Sequence, residues 1–475
     1  MRQREHRQKQ NQEGVRRERQ NRQIDFADGR ILYDMAAMAG PMMVAQLLNL
    51  LYNIVDRIYI ARIPHVGTAA LGGVGLCFPV ITIITAFTNL YGSGGAPLFS
   101  IARGRGDDPE AGKIMDSVFF LELFTAGLIM LTGWLFGRPV LQAFGASGEA
   151  LAYSLPYLRI YLAGTFFAML ATGLNPFIVA QGFPRAAMAT VMIGALANLV
   201  LDPLFIFVLG YGVRGAAIAT VLSQALSALF ILRFLLRGNA EIRLCRNPLR
   251  ELLRGGRRIA NIIGLGIASF VMMMTNSLVQ ITCNRVLSRT GGDVYITIMA
   301  IIASVRQVLE LPIMAIADGA APILSFHYGA RRPELVRKAI FALAAFGIVY
   351  TLAVWGFIEW KPAFLISIFS SDAEILEDTM RALHLYFFAF PFMVFQYTGQ
   401  TTFKSLNKKG RAIFFSLLRK AFIVVPLTYL LALTFHMGTD GVFLAEPVSN
   451  IVGGLACFIT MLCTVLPELK RMEAG

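Results

Sequence analysis

Charge is scarce in this chain. Only 15% of its 475 residues are Asp, Glu, Lys or Arg, against 56% that are hydrophobic. With a mean hydropathy of +0.61, that excludes an ordinary water-soluble globular domain. Cysteine is also rare: Cys77, Cys245, Cys283, Cys457 and Cys463 form no CxxC pair. A disulfide framework and a thiolate metal site are therefore not expected, and the cysteines read as small apolar fillers. Five histidines, with no HExxH, GxSxG or Walker sequence, leave no recognisable enzyme motif. No catalytic residue and no cofactor are expected. The first thirty residues contain no apolar run, so no cleavable signal peptide is expected and the first span serves as the insertion signal.

What the chain does have is long apolar stretches. About twelve are long enough to cross a hydrocarbon core as helices, near 33–56, 68–92, 117–137, 154–178, 186–209, 214–236, 260–286, 294–325, 338–359, 382–404, 411–434 and 442–466. The reading is an all-α integral membrane protein. The net charge of +14 suggests nucleic acid at first, but its distribution points to topology instead. With the N-terminus inside, about 31 Lys and Arg fall on the inner side and about eight on the outer. Both termini are therefore expected in the cytoplasm, the lipid bilayer is the expected environment, and no nucleic-acid partner is expected.

The chain repeats itself. "GSGGAPLFSIARGRGDDPEAGK" (92–113) returns as "ADGAAPILSFHYGARRPELVRK" (317–338), with Gly94/Gly319, Pro97/Pro322 and Gly104/Gly329 each 225 positions apart. The register persists at 226 in Gly173/Gly399, Phe177/Phe403, Gly212/Gly438 and Gly215/Gly441. This implies twelve transmembrane helices in two pseudo-symmetric six-helix lobes, related by an axis along the membrane normal. The expected divisions are a disordered basic cytoplasmic tail at 1–30, an N-terminal lobe at 31–237 and a cytoplasmic linker at 238–258. A C-terminal lobe at 259–467 and a cytoplasmic tail at 468–475 follow. The glycines of the repeated phrase read as helix-crossing residues and a bendable exit at the cytoplasmic ends of spans two and eight, not as a phosphate loop, since no strand precedes them.

Polar side chains inside the spans need a reason to be there. Tyr52 and Asp56 stand four apart in span one, and Asn198 and Asp202 four apart in span five, so each pair shares a helix face. Thr220 adds a hydroxyl in span six. Two carboxylates with amide, hydroxyl and phenol oxygens suit a buried proton or Na⁺. The alternative is an interfacial Asp56 neutralised by Arg57 and an Asp202 capping a helix end beside Pro203. In this register Thr220 matches Glu446, and no acid matches Asp56 or Asp202. Arg306 and Glu310, four apart in span eight, form either a structural ion pair or a gate or substrate contact, and Glu446 is a candidate for cation or substrate contact. Met272, Met273 and Met274 in span seven, with Gln280, and the aromatic run around Gln396 in span ten form either an adaptable substrate wall or ordinary packing. Asp34, Glu122 and His384 read as interfacial.

"YNIVDRIYIAR", "GSGGAPLFSIARGRGDDPEAGK" and "GAAPILSFHYGARRPE" resemble recurrent phrases of the multidrug and toxic compound extrusion (MATE) transporters, especially the bacterial exporters. The likeness runs from about residue 30 to the C-terminus. It implies a cell-membrane exporter of cationic, amphipathic small molecules, working as a monomer by antiport against Na⁺ or H⁺. It also implies a first-lobe cation site on Asp56, Asn198, Asp202 and Thr220, with Tyr52 beside Asp56 and Asn175 in span four as a further member. The same four residues would be the metal ligands if Na⁺ is the coupling ion. Asp318 departs from the family phrase, which often has Gln there. Rival readings are a flippase for lipid-linked precursors, or an exporter of one specific metabolite on a related fold.

Overall fold

The structure is a computed structural model that describes residues 23–64, 67–146, 148–238, 240–244, 255–369 and 374–474. Most of the basic tail, Cys245 and most of the 238–258 linker lie outside the described residues. Among the described residues there is no β-strand. Ten helices are long and apolar enough to cross a membrane, and a bent pair makes an eleventh span.

The chain divides into two compact units. One comprises residues 1–84 and 106–256, the other 85–105 and 257–475. The second unit thus takes in the later part of span two as well as the C-terminal half.

In the first unit, α1 (Ile31–Ala61) packs along α8 (Pro184–Pro203), reached through α2 (Gly67–Gly75), α3 (Phe78–Gly104, which belongs to the second unit from Thr85 on), α4 (Asp108–Ala143), α5 (Gly148–Ala163), α6 (Thr165–Gly173) and α7 (Asn175–Ala180). A ninth helix, α9 (Gly212–Arg237), lies on α8, α6 and α5, and α4 packs on α5 and α6. The fourth span is the bent pair. It turns by 56° between Ala163 and Thr165, where a Cβ on Gly164 would strike the Val221 side chain. Beyond Pro203, which has no N–H to donate, the fifth span continues as a π-turn, Leu204–Val208. The outer face of α4 exposes Leu128, Leu131, Trp134 and Leu135, the surface a lipid-facing helix presents.

In the second unit follow α10 (Gly256–Thr290), α11 (Gly292–Gly329), α12 (Pro333–Trp360), α13 (Pro362–Ser367), α14 (Leu376–Phe387), α15 (Met393–Ser405), α16 (Lys409–Leu417), α17 (Val425–Tyr429) and α18 (Gly438–Ala474). The span expected at 382–404 is broken: α14 ends at Phe387, a 3₁₀ turn at Phe390–Phe392 carries Pro391, and α15 resumes at Met393. Neither piece is among the helices long and apolar enough to cross alone. Around Pro426 the eleventh span has π-turns on both sides, Leu418–Val424 and Leu430–Thr434. The repeat thus extends to backbone irregularities. It reaches helix starts as well: Gly212 and Gly438 both take positive φ, 54° and 58°, where a side chain would be strained.

The repeated phrase meets its own copy inside the second unit. A Cβ on Gly104 would collide with the Phe326 carbonyl, and one on Gly329 with the Ile101 carbonyl. Higher up, Gly94 and Gly266 allow the same approach between α3 and α10, and Ser93 Oγ donates to Ser269 Oγ at 2.7 Å. Both helices stay regular to Gly104 and Gly329, and each copy of the phrase then turns, with Gly106 at φ 76° and Arg331 at φ 52°. Within the helices the glycines serve close crossing.

Candidate cation site in the first unit

Asp56 comes from α1 and Asp202 from the last turn of α8, and the packing of these two helices brings the carboxyl groups within hydrogen-bonding reach of each other. Asp202 is fully buried, Asn198 nearly so, and Asp56 is half-buried. Asn198 Nδ2 donates to Asp202 Oδ1 at 3.1 Å, one turn along the same helix. No donor reaches Asp56 Oδ1 or Asp202 Oδ2. Two acceptor groups in contact with no donor between them leave a place for a proton or a cation. Arg57 does not neutralise Asp56 by a direct ion pair; its guanidinium lies over the Phe78 ring, 4.7 Å from the centroid.

Beside the pair is a cavity of about 110 Å³ whose lining includes Tyr52, Thr172, Gly194, Asn198, Thr220 and Ser223. That is room for a few waters or a small ion, not for a drug-sized molecule. Tyr52 stands among Tyr161, Asp56 and Asp202. Thr220 Oγ1 donates back to the Ala216 carbonyl at 3.0 Å, so its lone pairs remain available to the cavity. The structure therefore gathers Tyr52, Asp56, Asn198, Asp202 and Thr220 in one place. Among the described residues no third His, Cys, Asp or Glu joins the two acids.

Asn175 is placed differently. It starts α7 and donates from Nδ2 to the Ala187 carbonyl at 3.0 Å and to Thr190 Oγ1 at 2.5 Å. Gln400 does the same in the second unit, donating to the Ala412 carbonyl at 2.9 Å and to Ser416 Oγ at 2.5 Å. All three positions recur at offsets of 225 or 226. Asn175 thus belongs to a duplicated bracket tying spans four and five, and it bonds neither carboxyl group.

The second unit turns its own polar residues on one another. Glu446 bonds Lys420 Nζ at 2.7 Å and Arg306 Nη1 at 3.0 Å, with Arg419 Nη1 at 3.5 Å. Arg306 Nε also bonds Glu310 at 2.5 Å, and its Nη1 donates to the Tyr386 hydroxyl at 2.6 Å. Arg419 donates to Asn450. Three cations and two carboxylates make one buried network, so Glu446 is occupied by protein cations. Arg306 and Glu310 are paired within it, each side chain 17% exposed. The remaining sequence candidates are dispersed. Met273 Sδ accepts from Asn89 at 3.9 Å, packing α10 on α3, and Met274 is half-buried. Gln280 is exposed and donates to Asn284 at 3.0 Å, while Gln396 is buried and donates to the Phe415 carbonyl at 3.5 Å.

Arg419, Lys420 and Glu122 are among the buried charge-bearing residues that escaped the sequence reading of the site. Arg419 and Lys420 lie inside the expected eleventh span, where apolar neighbours mask them in any hydropathy window; the repeat register, which sets Lys420 opposite Gly194, was the available signal. Glu122, read as interfacial, is fully buried about four turns into α4. Asp34 is buried too, in the first turn of α1, whereas His384 is partly exposed and pairs with Glu359 at 3.0 Å.

A family model described as MatE matches residues 41–204 and 268–430, one segment in each half of the repeat. The multidrug export protein MepA of Staphylococcus haemolyticus is 24% identical over 446 residues, which cover 91% of this chain and 94% of the relative. MepA of Staphylococcus aureus strain MW2 is 25% identical over 450 residues, with the same coverage. Among solved structures, an outward-facing multidrug resistance MATE family transporter of the MOP superfamily aligns with a TM-score of 0.85 at 24% identity, covering 92% of this chain and 96% of that one. A MOP superfamily transporter from Pyrococcus furiosus, described as having a binding pocket of reverse polarity that suggests a different function, gives the same TM-score, identity and coverage. At that identity the structural likenesses establish the fold.

Proposed function

The chain belongs to the MatE family of multi-pass membrane transporters, and on that premise we propose that it exports amphipathic, cationic small molecules by antiport against a cation held between Asp56 and Asp202. The observation that carries this reading is the contact of those two carboxyl groups beside a cavity lined in part by hydroxyl and amide side chains, with an oxygen of each lacking a donor. A cation arriving from outside fills the gap and neutralises the pair. It thereby changes how α1 packs on α8, and with that packing the first unit's hold on the drug; release of the cation inward restores the repulsion. Direct carboxyl contact favours a shared proton. Na⁺ would part the acids and complete its shell with oxygens of Asn198, Thr220 and Tyr52. The excess of Lys and Arg on alternate loops supports a cell-membrane topology with both termini in the cytoplasm.

A second reading, export of a specific acidic or zwitterionic metabolite, has one observation in its favour: the network of Arg306, Arg419 and Lys420 outnumbers Glu310 and Glu446. Proteoliposomes holding the full chain, given a Na⁺ or a pH gradient separately, test both. Gradient-driven movement of ethidium supports the first reading, and driven movement of an anionic dye with ethidium unmoved supports the second. Movement of neither under either gradient rejects antiport.

A further inference from the structure

The first unit holds another carboxyl group that the antiport reading leaves unused. Glu122 is 0% exposed, and neither of its carboxyl oxygens has a hydrogen-bond partner. Its carboxyl lies against Gly173, where a Cβ would collide with Oε1, so the glycine makes the space the acid occupies. Gly173 ends α6, and α7 begins at Asn175 after a one-residue break. Immediately before it, Ala171 and Thr172 line the cavity beside the Asp56–Asp202 pair. Glu122 therefore stands directly behind the wall of the candidate cation site.

No charge compensates it. The helices α6 and α7 have no titratable side chain. Titratable groups on the packed elements include Tyr153, Tyr157, Arg159 and Tyr161 on α5 and Asp116 on α4 itself. None of them hydrogen-bonds Glu122. The repeat supplies an independent sign: the matching positions 346–348 are Phe, Gly and Ile, so this acid is unmatched in the other half, as Asp56 and Asp202 are. A carboxylate with no donor and no counter-ion is not sustained in such surroundings, whereas a carboxylic acid is.

We propose that Glu122 is a second proton-binding site of the first unit, protonated in this conformation and exchanging its proton when the α6–α7 break moves. The exchange rests on the antiport reading; the bound proton does not.

Infrared spectroscopy of the purified full chain tests the bound proton. The carboxylic-acid carbonyl band at neutral pH should lose intensity in Glu122→Gln and keep the Glu122 component in the Asp56→Asn/Asp202→Asn double variant. A Glu122→Gln spectrum identical to wild type overturns the proposal. Should that variant not fold, Gly173→Ala, which presses on the same carboxyl, must shift the band, and an unmoved band is equally fatal. Proton release on adding ethidium to lightly buffered protein tests the exchange, with one proton fewer per chain expected for Glu122→Gln. Unchanged release with the band lost makes Glu122 a static neutral residue and overturns the exchange. Absence of release from the wild type instead counts against proton antiport and leaves the infrared result to decide the bound proton.

Discussion

Replacing Asp202 with asparagine separates charge from shape. The side chain is fully buried and accepts one hydrogen bond, from Asn198 Nδ2 at 3.1 Å. An asparagine that turns its Oδ1 toward Asn198 accepts the same bond, so the fold should lose no more than about 1 kcal/mol, the difference between a charged and a neutral acceptor. Alanine would also orphan the Asn198 donor, at about 1–3 kcal/mol. What asparagine removes is the second carboxyl in reach of Asp56, and with it the site that a cation can neutralise. In proteoliposomes under a tenfold cation gradient at zero membrane potential, one-for-one exchange can build at most about a tenfold gradient of a monovalent organic cation, because about 1.4 kcal/mol corresponds to tenfold. Exchange of two cations would raise the limit to about a hundredfold. The wild type is expected to approach one of these limits with ethidium. Asp202→Asn should settle at a ratio of about one, with ethidium affinity, read by fluorescence, within about threefold of wild type. Accumulation by Asp202→Asn at the wild-type ratio would refute the assignment of coupling to this pair.

The duplicated bracket predicts that Asn175→Ala and Gln400→Ala each lower stability by about 1–3 kcal/mol, read as matched falls in thermal midpoint in detergent. Neither should alter the cation dependence of transport, and a change confined to Asn175→Ala would make that residue a ligand. In the second unit, Glu446→Gln leaves three buried cations facing one carboxylate and should cost about 3–5 kcal/mol. Lys420→Met brings charges into balance, so it should cost less and partly rescue Glu446→Gln in a double-mutant cycle; equal and additive losses would contradict the network. At the crossing of α3 and α11, Gly104→Val should hinder folding or shift the helices apart, measurable as lost cross-linking between cysteines introduced at exposed positions on either side.

How much of this was legible in the sequence depended on what each feature needs. Apolar runs need only their own residues, so span positions were readable, but span ends were not: α3 continues to Gly104 because Gly94 and Gly104 pack against Ile262, Gly266 and Phe326, partners far along the chain. The break in the tenth crossing was locally encoded in "FAFPF", yet aromatic hydropathy hid it. Asp56 and Asp202 could be singled out because each shares a helix face with a second polar group and lacks a counterpart in the other half. Their mutual contact could not be read, since it is set by how α1 lies along α8. Glu122 shows the same limit from the other side. Its isolation follows from Gly173, a residue whose sequence neighbourhood says nothing about the acid it accommodates. Asn175 looked like a ligand from the resemblance alone, and the geometry of Gln400 in the other half gives it a structural task instead.

The same register explains why the second unit has no counterpart of the acid pair. Gly194 and Thr220 line the first unit's cavity, and the residues 226 positions on are Lys420 and Glu446, joined at 2.7 Å. Where the first unit leaves space for a mobile cation, the second places an ammonium on a tether and supplies its carboxylate from the position of Thr220. A tethered cation cannot leave by either side, so this half cannot exchange one by the same route. Acids at the positions matching Asp56 and Asp202 would then face a site already filled. Thr428, 226 positions on from Asp202, and the stretch from Ile281 to Asn284 carry none. The duplication thus yields two copies of one scaffold with different electrostatic roles. On the antiport reading one has a pair of acids whose state depends on an ion from solution, while the other has a network whose charges are paired within the protein. On that reading, coupling to an ion gradient requires the first kind, which would confine the exchangeable acids to the half with a glycine at position 194.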